Sequence, residues 1–114
     1  MNASVSPPRI AWIEVGRAEQ VPPRGSRRLT TALGPVAVFR TSDGQLFALV
    51  DRCPHKGGPL SQGIVHGQAV TCPLHNWQIS LTTGRPLGAD AGHGCAPTVP
   101  VEEREGRIFL GLTR

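Results

Sequence analysis

The sequence predicts an all-β chain of short antiparallel strands, on three observations. Its 14 glycines and 11 prolines are spread along 114 residues rather than clustered, which fits short strands joined by turns better than disorder. No segment carries a sustained 3.6-residue apolar period, so no long amphipathic helix is expected. Apolar β-rich runs recur between turn signals, most clearly at 36–40 and 45–50 on either side of Thr41-Ser42-Asp43-Gly44. Asp-Gly between two such runs is a strong hairpin signal, because glycine takes the positive φ the turn needs.

Taken in order, residues 1–9 are polar, hold Pro7-Pro8, and read as a flexible lead-in; residues 10–114 read as one domain. Residues 10–15 are β-compatible through Trp12, Ile13 and Val15. Pro22-Pro23 stops any helix or central strand, since two prolines remove backbone donors. Residues 26–32 read as a polar strand and Gly34-Pro35 as a turn. The hairpin of 36–40 and 45–50 then delivers the chain into Asp51-Arg52-Cys53. A second hairpin, 63–65 and 68–71 around His66-Gly67, leads into Cys72. Residues 77–81 read as a strand with Trp77, Ile79 and Leu81 on one face, followed by a turn at 82–85. Residues 86–97 are Gly-rich and irregular. Residues 99–103 and 107–112 form a final hairpin around Arg104-Glu105-Gly106. This amounts to eight to ten short strands with no internal repeat or boundary.

The formal charge is +4, from eleven Arg and one Lys against eight acids. Arg24, Arg27 and Arg28 form the one notable basic group, read as a solvated edge with partner docking second. With no basic helix and no series of stacking aromatics, nucleic-acid binding is unsupported. Three cysteines, Cys53, Cys72 and Cys95, make no disulfide framework. No apolar stretch has the length of a signal peptide core or a membrane span, so the expected compartment is the cytoplasm. There is no Gly-rich nucleotide loop, no carboxylate–His set for mononuclear iron and no nucleophile triad. A complete active site is not expected on this chain alone, and substrate chemistry belongs to a partner.

The chemistry concentrates between Cys53 and His75. Cys53-Pro54-His55 offers one thiol and one imidazole at C-x-H spacing, and Cys72-Pro73-Leu74-His75 offers another pair at C-x-x-H. Sixteen residues lie between His55 and Cys72. Two thiolates and two imidazoles suit zinc, iron or an iron–sulfur cluster. Structural zinc sites usually pair like ligands, as C-x₂₋₄-C and H-x₃₋₅-H, whereas each half here is mixed. A mixed pair is natural when its two ligands reach two different metals, as in a [2Fe–2S] cluster; structural zinc is the competing reading. Pro54 and Pro73 stiffen the loops, and Gly57, Gly58 and Gly63 would let backbone amides come close to cluster sulfurs.

This motif resembles that of the Rieske family, in which two Cys bind one iron of a [2Fe–2S] cluster and two His bind the other. The resemblance maps onto Cys53, His55, Cys72 and His75 without a gap and covers roughly residues 10–112. It implies a fold of stacked antiparallel sheets with two cluster-binding loops at one end. It implies one cluster per chain, with Cys53 and Cys72 on the inner iron and His55 and His75 on the outer, solvent-near iron.

Departures from the family's high-potential members bear on the redox potential. Those proteins carry a disulfide between the two loops, and the matching positions here are Gly58 and Leu74. They also donate hydrogen bonds from a Ser and a Tyr after the second loop, where this chain has Trp77 and Ile79. Fewer donors stabilise the reduced cluster less, so the midpoint is expected near about −150 mV, the low end of the Rieske range. A redox titration followed by EPR checks this; a midpoint well above zero contradicts it. Oxidised iron lowers the pKa of the distant N–H of a bound imidazole, so the midpoint is also expected to fall at alkaline pH.

The finer match is similar to the small subunit of assimilatory NAD(P)H-dependent nitrite reductase. It runs through 36–40, Asp43-Gly44, 46–48, 53–61, 63–65 and 72–77. That resemblance implies a large subunit with FAD, an iron–sulfur cluster and sirohaem, reducing nitrite to ammonium in nitrate assimilation. The first competitor is a free Rieske ferredoxin serving an aromatic-ring dioxygenase. Such carriers are often acidic, which the +4 charge leans away from. A third reading is a structural subunit whose cluster fixes a docking surface. Lys56 is read as a solvated loop lysine or a docking contact, and Trp77 as packing at the loop base. His66, placed in a turn, and His93 are read as surface histidines. Cys95 is read as a small buried or half-buried thiol without a redox role.

Overall fold

The computed structural model describes residues 10–54, 57–74, 76–88 and 94–113. The expectations for the 1–9 lead-in, His55, Lys56, His75 and His93 lie outside the described residues. Among the described residues ten strands form three antiparallel sheets, as the all-β reading anticipates. They are β1 (Ile10–Arg17), β2 (Ser26–Thr31), β3 (Gly34–Arg40), β4 (Leu46–Val50), β5 (Ile64–His66), β6 (Ala69–Thr71), β7 (Gln78–Ser80), β8 (Thr98–Val99), β9 (Val101–Arg104) and β10 (Arg107–Thr113). The sheet orders are β1-β10-β9, β2-β3-β4-β8 and β5-β6-β7.

The four-stranded sheet is the middle layer, and β3 shows why. Its run Val36-Ala37-Val38-Phe39 is fully buried on both faces, so it reads as continuously apolar rather than alternating. Val36 and Val38 point into a core shared with Ile108, Leu110 and Leu112 of β10. Ala37 and Phe39 point the other way, into a core shared with Val65, Val70 and Ile79 of β5 to β7. Leu49 of β4 joins the second core, and Ala48 joins the first. The second core also contains Cys53 and Cys72, so the small sheet and the cysteine loops share one apolar foundation.

The Asp43-Gly44 hairpin forms as expected, with Phe39 opposite Phe47 and Gly44 at φ 91°. Three turns differ from expectation. The first is at Ala32–Leu33, not Gly34-Pro35: Gly34 pairs with Thr31 and Pro35 with Thr30 inside the β2–β3 ladder. The Thr31 hydroxyl donates to Gly34 O (2.9 Å) and accepts from Leu33 N–H (3.0 Å), holding the reversal one step earlier. The second turn is at Gly67–Gln68; His66 is the last residue of β5, opposite Ala69. It is exposed, with Nε2 at 2.7 Å from Thr71 Oγ1. The third turn holds only Glu105 and Gly106, both at positive φ (51° and 78°), and Arg104 stays in β9.

The expected strand at 99–103 is in fact two. Thr98 and Val99 pair with β4 in the middle sheet, whereas Val101–Arg104 pairs with β10 in the outer one. Pro100 lies between them. It has no N–H to give a ladder, while its carbonyl accepts from Gly111 N–H at 2.9 Å.

Candidate functional site

Two loops, Cys53 to Gly58 (loop 1) and Cys72 to Trp77 (loop 2), are built on one plan. The Cys53 N–H donates to Gly58 O (2.8 Å) and Gly57 N–H donates to Cys53 O (2.8 Å). The Cys72 N–H donates to Trp77 O (2.7 Å) and Asn76 N–H donates to Cys72 O (3.0 Å). Each cysteine is thus tied to the fourth and fifth residues after it. The fourth is left-handed in both loops, Gly57 at φ 72° and Asn76 at φ 59°. Gly and Asn are the residue types that enter this region at least cost. Proline follows each cysteine, where its fixed φ suits entry into a turn.

The loops lie side by side. A Cβ placed on Gly58 would sit 2.8 Å from Leu74 Cγ and 3.1 Å from Cys72 Sγ. Gly58 is therefore a close-approach residue between the loops, and it faces Leu74 as the expected disulfide-free pairing requires. Gly63 also stands at a close approach. Its hypothetical Cβ would lie 2.2 Å from Thr71 O, so it lets the chain leaving loop 1 pass close over β6. Gly94 lies against loop 1, with its hypothetical Cβ 3.5 Å from Pro54 Cβ.

Both cysteines are buried, at 2% and 1% exposure, within an apolar cluster that includes Leu60, Ile79 and Ala96. Trp77 packs against the same cluster, as expected of a loop-base residue. By contrast Gly57, Pro73, Leu74 and Asn76 are exposed. The pair of loops therefore has a dry sulfur-bearing interior and a wet rim. Cys95 is exposed rather than buried or half-buried as expected, because the core position next to it goes to Ala96.

One element of the site was not anticipated. Asp51, two residues before Cys53, is the one buried charged side chain among the described residues. Its Oδ1 accepts from Ser61 N–H (2.8 Å) and its Oδ2 from Ser61 Oγ (2.6 Å). Its own N–H donates to Pro35 O (2.8 Å). Arg28 Nε lies 3.4 Å from Oδ2, with the arginine side chain 52% exposed. Ser26 Oγ donates to Ser61 O at 2.5 Å. These contacts close the chain from 51 to 61 around loop 1 and fix it to β2 and β3. Arg28 thus belongs to the loop support rather than to a merely solvated edge. The local signal was an acid placed directly after the apolar run of β4.

Buried twin thiols on paired loops, carried by stacked antiparallel sheets, define a small metal-centre protein. Two sulfur donors meeting in one apolar cradle fit the inner iron of a [2Fe–2S] cluster, and thiolate is the ligand such clusters use. The Rieske [2Fe-2S] domain family matches residues 11–100, and the chain belongs to that family. Its cofactor is accordingly a Rieske-type [2Fe–2S] cluster. Ferredoxin CarAc of Metapseudomonas resinovorans is 33% identical over 105 residues, covering 87% of this chain and 92% of its own length. A Mycobacterium tuberculosis chain assigned as the small subunit of an NADH-dependent nitrite reductase superposes with a TM-score of 0.80 at 25% identity, covering 90% of this chain and 96% of that one. A chain from the complex of reduced oxygenase and oxidised ferredoxin in carbazole 1,9a-dioxygenase superposes with a TM-score of 0.77 at 30% identity, covering 88% of this chain and 92% of that one. The chain is thus a Rieske electron-transfer protein, similar both to a nitrite reductase small subunit and to dioxygenase ferredoxins.

Proposed function

We propose that this chain is the small, electron-transferring subunit of an NAD(P)H-dependent nitrite reductase acting in the cytoplasm. In this reading Cys53 and Cys72 hold the inner iron of the cluster, and His55 and His75 hold the outer one. The observation that carries the reading is the near end-to-end likeness to the M. tuberculosis small subunit, at a TM-score of 0.80. The sequence resemblance through 53–61 and 72–77 supports it. When bound, the cluster supplies a one-electron relay. The apolar cradle of Leu60, Ile79 and Ala96 keeps water from the two thiolates. The exposed rim of Pro73, Leu74 and Asn76 leaves the other side open to a partner. No helix among the described residues is long and apolar enough to cross a membrane.

The test uses the cluster-loaded chain and a flavin–sirohaem large subunit from the same genome. NAD(P)H oxidation that depends on nitrite is expected with the wild type and is lost with Cys72→Ser. A Cys72→Ser complex that assembles without cluster yet keeps full nitrite turnover contradicts electron transfer through this subunit. The second reading, a ferredoxin for an aromatic-ring dioxygenase, is favoured by the likeness to ferredoxin CarAc over 92% of that protein. Reoxidation of the reduced chain by a ring-hydroxylating oxygenase, and not by the nitrite reductase large subunit, would select it.

A further inference from the structure

We propose that Asp51 and Arg28, at the foot of loop 1, act as an opposed charge pair that sets the reduction potential of the cluster held between the two loops. The inference rests on the assignment of Cys53 as a ligand, but not on which partner receives the electron. Asp51 places a carboxylate with no exposed side-chain surface two residues from Cys53. Every polar atom of that side chain is already engaged by this chain's own groups: Ser61 N–H, Ser61 Oγ and Arg28 Nε. The carboxylate is therefore not a docking group. It is fixed in position by neutral donors, and one cation lies beside it.

Reduction adds one electron to the site. A fixed negative charge nearby opposes that electron, and a positive charge favours it. The buried carboxylate therefore holds the potential down, while Arg28 offsets part of that effect. Because Arg28 is half exposed, water and salt screen its share, so its effect is the smaller of the two. Clamp and charge are separable, because Asn at position 51 can still accept from Ser61 N–H and donate to Ser61 Oγ.

The experiment is a set of EPR-monitored redox titrations, with dithionite as reductant, on cluster-loaded full-length chains. Asp51→Asn is expected to raise the midpoint. Arg28→Gln is expected to lower it by less, with its difference from wild type narrowing as salt is added. The double variant should fall between the two single variants. Shifts of the same sign, or no shift in either variant, overturn the proposal. A shift in Ser61→Ala as large as that in Asp51→Asn also overturns it, because position rather than charge would then be responsible. Arg28→Gln changes only a half-exposed side chain, so the sign test remains if Asp51→Asn fails to fold. Iron content in Cys53→Ser separates the two levels. Retention of the cluster there refutes the ligand assignment, whereas its loss with unshifted Asp51 and Arg28 variants refutes the charge pair alone.

Discussion

Loop 1 and loop 2 close with the same two backbone hydrogen bonds, yet they are anchored by different forces. Loop 1 is gripped by polar groups: Asp51 and Ser61 join its two ends, and Arg28 and Ser26 reach in from β2. Loop 2 hangs from a short sheet whose support is apolar, with Ile79 fully buried and Trp77 packed on the same core. One loop shape is therefore reached twice by different means. The shape follows from Cys-Pro and a left-handed fourth residue, and the anchor is free to differ. The consequence is an asymmetric environment: the apolar core packs beneath both cysteines, while the buried carboxylate stands on the loop 1 side alone.

The largest expected effect comes from breaking the apolar anchor. Ile79→Ala should cost about 2–5 kcal/mol by lost burial and cavity formation, read by denaturant unfolding of the apo chain. Hydrogen exchange should quicken at the amides of loop 2 more than at those of loop 1. Equal quickening in both loops would show that the anchors are not separate. Breaking the polar anchor is expected to cost less. Ser61→Ala removes one hydrogen bond to a buried carboxylate that keeps its other partners, for about 1–2 kcal/mol, and its exchange signature should fall on loop 1.

The shared backbone plan gives two smaller tests. Gly57→Ala puts a side chain at φ 72° and should cost about 1–2 kcal/mol from that conformation alone. Asn76→Gly at the equivalent place in loop 2 relieves the same strain and should stabilise by about 0.5 kcal/mol or less, since Asn tolerates the conformation. If Asn76→Gly destabilised the chain by as much as Gly57→Ala, the two turns would not be equivalent.

Much of this was legible in the sequence, and the exceptions share a cause. Local signals were reliable: Asp43-Gly44 made its hairpin, the apolar run 36–40 made a strand, and the spacing around Cys53 and Cys72 pointed to the family. Contacts between distant residues were not legible. Asp51 meets Ser61 ten positions on and Arg28 more than twenty positions back, and nothing local marks an arginine in a polar strand as the partner of a buried acid. The change of sheet at Pro100 is hidden for the same reason. Proline shows that a ladder is interrupted, but not that the two halves find different neighbours. The Ala32–Leu33 turn was missed because Gly34-Pro35 is the stronger turn signal by composition, while the Thr31 hydroxyl decides the register.

If the twin loops hold one [2Fe–2S] cluster as proposed, Cys53 and Cys72 supply the sulfur ligands of one iron, leaving His55 and His75 for the other. Pulsed electron–nuclear double resonance on the dithionite-reduced chain, grown with ¹⁵N-labelled histidine, tests it most directly. Two directly bonded histidine nitrogens are expected, with the signal lost in Cys53→Ser and Cys72→Ser. A reduced cluster showing no bonded histidine nitrogen, or one that survives loss of either cysteine, would contradict the account.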